Sequence, residues 1–159
     1  MPEPAIAEII RGRMTAAPPP GTVVFLFGLR VNDWGAVRDW LPLWRSLDRM
    51  LRELERRPES GCLWSTRVRD GREITVIQYW RDMDALMTYA QNKAFLHANA
   101  WRRFNLGVGD RGTVGIWHEA YVIDPETPGH LHAIYRDIPE RGLAAATGII
   151  PAHHEPRRG

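Results

Sequence analysis

Residues 22–30 (TVVFLFGLR) are apolar on both alternating faces, and this limits the fold more than any other stretch of the chain. Successive side chains of a strand leave opposite faces of the sheet. Val23, Phe25, Phe27 and Leu29 therefore fall on one side, and Val24, Leu26 and Gly28 on the other. A half-buried strand alternates apolar with polar residues; this one needs cover on both sides.

The rest of the chain supplies cover for one side only. Asp33 and Asp39 are candidate N-caps of a turn and then a helix running to about residue 57, with Pro42 tolerable only in a first turn. Trp40, Trp44, Leu47, Leu51 and Leu54 make its apolar stripe, and Pro58 and Gly61 end it. Two strand-like runs, 61–69 and 72–81, meet at Asp70-Gly71, which predicts a tight type I′ hairpin with positive φ at both residues. Asp82 or Asp84 opens a second helical region that breaks near Gln91-Asn92, continues through Phe104 and stops at Gly107. A strong strand follows over 113–123, with Val114, Ile116 and Val122 opposite Trp117 and Tyr121, and a weaker one over 130–136. This order predicts an α+β fold of ferredoxin-like βαββαβ type, a four-stranded antiparallel sheet with both helices on one face. The other face is left apolar and uncovered. A second copy of the sheet, related by two-fold symmetry, is the simplest cover, so a homodimer is expected.

At 159 residues the chain has room for one ordinary domain, expected over 21–150. Residues 1–20, ending in the run Pro18-Pro19-Pro20, read as a flexible tail, and so do 151–159. The pI is near 9.0, yet the net charge is only +2 and Lys93 is the only lysine. Arg45, Arg49, Arg52 and Arg56 interleave with Asp48, Glu53 and Glu55 as on a solvated helix face laced with i,i+4 pairs, so no nucleic-acid partner is expected. Cys62 is alone, which fits a reducing, cytoplasmic compartment. No apolar run approaches the roughly 20 residues of a membrane helix, and no signal-peptide core stands at the N-terminus.

Few residues have the chemistry of a site. His97, Trp101 and Asn105 fall at i, i+4 and i+8 on one helical face, where an imidazole in low dielectric can take a proton or ligate a haem iron. A hydrogen-bonded structural histidine is the plainer alternative. His118 and Glu119 are strand neighbours and so leave opposite faces. Glu119 lies between Trp117 and Tyr121 on one face and needs a partner such as Arg30 or Arg81; a structural ion pair fits as well as a site. His130, His132, His153 and His154 lack the partners and spacing of a metal site, and no metal is expected. There is no glycine-rich phosphate loop, GxSxG or CxxC. Seven tryptophans, Trp80 and Trp117 among them, fit either a pocket for a flat apolar ligand or an aromatic core.

Three stretches together, FLFGLRVNDW (25–34), YWRDMDALMTYA (79–90) and above all GIWHEAY (115–121), resemble a known family. It is the small dimeric α/β-barrel family named for a fungal monooxygenase of the fumagillin pathway, similar to the antibiotic-biosynthesis monooxygenases. The resemblance covers about residues 21–150. It implies a homodimeric oxidoreductase that oxygenates an aromatic or polyketide-like molecule of secondary metabolism, without metal or flavin. His97 would then be the base, His118 or Glu119 would come second, and Trp101, Asn105, Trp117, Tyr121, Arg30 and Trp80 would bind substrate. Other barrels of similar plan hold haem through a histidine, here His97 or His118, which leaves a haem-binding dehydratase or haem-oxygenase-like enzyme as the alternative. A non-catalytic binding dimer is the third.

Overall fold

The computed structural model describes residues 7–92, 102, 104 and 106–152. Its main sheet is built from β2 (Val23–Val31), β3 (Cys62–Asp70), β4 (Glu73–Trp80) and β5 (Val114–Val122), all antiparallel, in the order β3-β4-β2-β5. With α1 (Val37–Glu55) after β2 and α2 (Met83–Gln91) after β4, this is the ferredoxin-like plan. The apolar-both-faces strand β2 is a central strand, paired with β4 on one side and β5 on the other. Register fixes which residues share a face: Val23 opposes Trp80, and Phe27 opposes both Val76 and His118. The odd residues of β2 therefore face the helices together with Ile74, Val76, Gln78 and Trp80. Against them pack Leu47, Met50, Leu51 and Leu54 of α1 and Ala85, Leu86 and Tyr89 of α2. Leu29, Val31, Leu43, Val108 and Val114 extend this layer toward the other end of the sheet.

The helix starts follow local chemistry. Asp82 caps α2, its carboxylate accepting the Ala85 amide at 2.7 Å, and the helix ends at the expected break, where Asn92 turns extended. In α1 neither aspartate caps. Asp33 instead closes a turn on the Gly35 amide at 2.8 Å, and Ala36 stands at the N-cap. Asp39, in the first turn, accepts from the Thr113 hydroxyl at 2.6 Å and the Arg111 guanidinium at 2.5 Å, tying the helix start to the loop before β5. Pro42 lies a turn deeper than expected; its missing N–H orphans a carbonyl on an exposed face, where water can satisfy it. Nor do the expected arginines lace α1: Asp48 reaches across to Arg67 of β3, and Glu53 pairs at i,i+4 with Arg57, just past the helix end, at 4.0 Å.

The β3–β4 hairpin forms where expected but turns one residue later. Asp70 pairs with Glu73, so the loop is Gly71-Arg72, and of the two only Gly71 has positive φ, +53°. That is the φ pattern of a II′ turn, which places glycine first, rather than I′. Nothing lies within 4 Å of a Cβ at this position, so Gly71→Val tests backbone strain alone. It is expected to cost about 1–2 kcal/mol and to lower the melting temperature, since a β-branched residue tolerates positive φ poorly. An unchanged thermal unfolding curve would refute this turn geometry.

A second, three-stranded sheet was not expected. Residues within the supposed N-terminal tail form β1 (Ile10–Ala16), the central strand between β6 (Tyr135–Ile138) and β7 (Ile149–Pro151), with the short helix α3 (Gly142–Thr147) before β7. The weak strand predicted over 130–136 is displaced to β6. The proline run separates β1 from β2 instead of ending a tail. Ala16, Ile123, Leu143 and Ala144 form a third core, against which Val24 and Tyr79 of the main sheet's outer face pack. Part of that outer face is thus covered by the chain itself. The remainder is not: Val68 is 53% exposed and Tyr121 55%.

Candidate functional site

An apolar cleft of about 100 Å³ lies between the inner face of α1 and the helix-side face of β2 and β5. Leu43, Leu47 and Met50 form its roof, and Phe25, Phe27 and Ile116 its floor. The floor follows from parity: residues 25 and 27 of β2 and 116 and 118 of β5 point the same way because β2 and β5 pair in register. Phe104, from the second helical region, adds to the wall.

His118 stands at the cleft's edge, its ring 6.0 Å from that of Phe25, which is in turn 5.4 Å from Phe27. It is the one titratable side chain among the described residues of the lining. An imidazole there can receive a proton from a bound molecule on its apolar side while reaching water on the other, because the side chain is exposed.

Glu119 leaves the opposite face, as strand geometry requires. Its Oε2 accepts the Tyr121 hydroxyl at 2.7 Å, and a carboxylate held against the phenol raises the tyrosine's pKa. Neither candidate arginine partners Glu119. Arg30 lies 3.8 Å from Glu73, and Arg81 is 2.9 Å from Asp82. Glu73 also accepts the indole N–H of Trp117 at 2.7 Å. That indole lies against Gly28, where a Cβ would stand 2.1 Å from its Nε1, so only glycine allows the approach.

Trp80 is not in the cleft wall. It is fully buried beneath α2, its indole donating to Gln78 at 3.0 Å and its ring 5.3 Å from Tyr89. His97, Trp101 and Asn105 lie outside the described residues. Cys62 is no nucleophile, since burial pushes its thiol up to about 12. Among the described residues, no three His, Cys, Asp or Glu side chains are grouped to hold a metal ion. Sequence reasoning missed the cleft's walls because Phe25, Phe27, Leu47 and Ile116 have the composition of ordinary core; the signal available was their shared parity with His118.

The family described as Monooxygenase af470-like matches residues 22–143. No curated protein matches the chain. Among solved structures, an aldoxime dehydratase superposes with a TM-score of 0.62 at 15% identity, over 90% of this chain and 43% of its own. Aldoxime dehydratase OxdRE, in complex with butyraldoxime, gives 0.61 at 17% identity, over 76% and 38%. SnoaB, a cofactor-independent oxygenase from Streptomyces nogalater, is 20% identical over 68% of this chain and 98% of its own, with a TM-score of 0.45. The chain thus spans about two fifths of the length of the aldoxime dehydratases it resembles, and at these identities the likeness is one of fold.

Proposed function

We propose, because this chain belongs to the Monooxygenase af470-like family, that it is a cofactor-independent monooxygenase of an aromatic or polyketide-like molecule, with His118 as the base. One observation carries the reading: a single titratable side chain at the edge of an otherwise apolar cleft. An oxygenation driven by the substrate's own electrons asks for little more. His118 removes a proton from a ring CH₂ made acidic by a neighbouring phenol or carbonyl. The resulting anion passes one electron to dioxygen, the two radicals combine to a hydroperoxide, and loss of water leaves a carbonyl. The balance is CH₂ + O₂ → C=O + H₂O, with all four electrons from the substrate and no separate reductant. Phe25, Phe27, Leu47 and Met50 exclude the water that would reprotonate the anion.

His97 is the second candidate base, with Trp101 and Asn105 on the same helical face as orienting residues. Trp117 is also among the residues that line the cleft, whereas Tyr121 and Arg30 belong to the outer face, where they serve a substrate only if it extends around the sheet's edge. Haem, held through His118 or His97, is the alternative. A cavity of about 150 Å³ holds benzene, so a fused-ring substrate and a macrocycle alike would extend beyond the described cleft of about 100 Å³. No step is derived through haem.

The outer face supports a homodimer, since Val68 of β3 and Tyr121 of β5 are left exposed on it. A lone cysteine fits a cytoplasmic setting. Among the described residues, no helix is long and apolar enough to cross a membrane.

The test pairs an absorption spectrum of the purified protein with oxygen uptake on a fused-ring phenol. One dioxygen per substrate is expected, with no added reductant and no visible band from the protein. A co-purifying haem or flavin band, or a requirement for reductant, would overturn the reading. Light scattering should give twice 18.2 kDa, and a monomer would remove the dimer.

A further inference from the structure

The back of α1 carries a feature that the cleft does not use. Arg38, Arg45, Arg49, Arg52 and Arg56 are all exposed. On a helix of 3.6 residues per turn they fall within about 40° of one line, over roughly 27 Å. The molecule's charges nearly balance, 21 Lys and Arg against 19 Asp and Glu, so it is the segregation of these arginines, not their abundance, that needs a cause.

Asp48 lines the same groove and Glu53 lies among Arg49, Arg52 and Arg56, yet each turns its carboxylate to another partner. Asp48 is turned aside to Arg67, and Glu53, with its side chain 12% exposed, pairs with Arg57. Arg49 makes a hydrogen bond to Ser46 at 3.2 Å, and among the described residues none of the five pairs with a carboxylate. Like charges three and four residues apart repel, and Arg38 in the first turn also opposes the helix dipole. Between Arg38 and Arg45 the line is filled by Leu41 and the exposed Pro42, with Val37 45% exposed beside them. A shallow groove runs along this apolar step and the flanking arginines.

We propose that the outward face of α1 is a docking surface for a helical protein segment bearing an acidic stripe. Arg45, Arg49, Arg52 and Arg56 repeat at four, three and four residues, about 4.5–6 Å apart along the axis. That is the spacing at which a facing helix presents carboxylates at i, i+3 and i+4, and a guanidinium can hold a carboxylate through two parallel bonds. Glu55 and Asp48, the latter paired with Arg67, border one side of the stripe, so a narrow partner meets less repulsion than a duplex or an anionic membrane, which spreads its charge over them. The apolar step at Leu41 and Pro42 also suits a protein side chain better than a phosphate backbone. Because the inner face of α1 roofs the cleft, such a partner would sit directly behind it.

The probe is a labelled synthetic helix with glutamates at i, i+4, i+7 and i+11, read by fluorescence anisotropy with the full chain. A control peptide of equal composition has its glutamates spread around the helix. The striped peptide should bind at least about tenfold tighter than the control and weaken at least about tenfold from about 50 to about 300 mM salt. Replacing Arg45, Arg49 and Arg52 together by glutamine should lose at least about tenfold in affinity, with the melting temperature unchanged or raised as repulsion is relieved. If that variant fails to fold, Arg49→Gln alone should lose about two- to threefold. Equal binding of the two peptides, unaltered affinity of the variants, or tighter binding of a short DNA duplex or phosphatidylglycerol vesicles would overturn the proposal.

Discussion

His118→Ala is expected to lower turnover of the aromatic substrate by about 10²- to 10⁴-fold while the protein stays folded. The two halves of this expectation have separate grounds. The imidazole is the one titratable group among the described residues of the cleft wall, so its loss removes the proton acceptor. The side chain is exposed at the cleft's edge, so truncation leaves no sealed void and the melting temperature should hardly move. Oxygen uptake by wild type and variant, measured side by side with a thermal unfolding curve of each, checks it. Turnover within about threefold of wild type would transfer the base to His97.

Trp80→Ala should have the largest effect on stability, about 3–5 kcal/mol. Trp80 is 0% exposed, and its ring spans the gap between β4 and Tyr89 of α2. Removing it opens a void among Leu86, Tyr89 and Val23 and strips Gln78 Oε1 of its 3.0 Å donor. For a chain of this size each kcal/mol shifts the melting temperature by roughly 2–4 °C, so a fall of about 10 °C is expected in a thermal scan. A loss below about 1 kcal/mol would mean that the indole does not hold this part of the core.

Trp80 also shows how far the sequence could be read. Its place among the interior residues was available from parity, because Ile74, Val76 and Trp80 alternate on one side of β4, and nothing in the sequence set it beside the cleft. The order of elements, the hairpin site, the Asp82 cap and the break at Asn92 were legible because each rests on local chemistry: alternation, a glycine with positive φ, a carboxylate at a helix start. The turn was misjudged by one residue, since Asp70 finds a ladder partner in Glu73 and the choice between pairing and turning is made by the facing strand. β1 was illegible for a stronger form of the same reason. Its sequence, IRGRMTA, has no apolar alternation of its own, and its partners lie far along the chain. Of the site, His118 was visible as a candidate. The cleft was not, because its walls are chemically the same as the core beside it.

The second sheet makes the order of assembly asymmetric. β6 and β7 each pair with β1 and not with each other, and side-chain bonds from Thr15 to Ala133 at 2.6 Å and from the Gly12 amide to Asp137 at 2.9 Å add to these ladders. β1, which precedes the other described strands, therefore has no partner until residues 135–151 have emerged, by which point β2 to β5 can already have paired with one another. Local contacts close cheaply and distant ones late. The main sheet with its cleft can accordingly be in place before β1 is fastened over its outer face. In this protein β1 acts as the final latch.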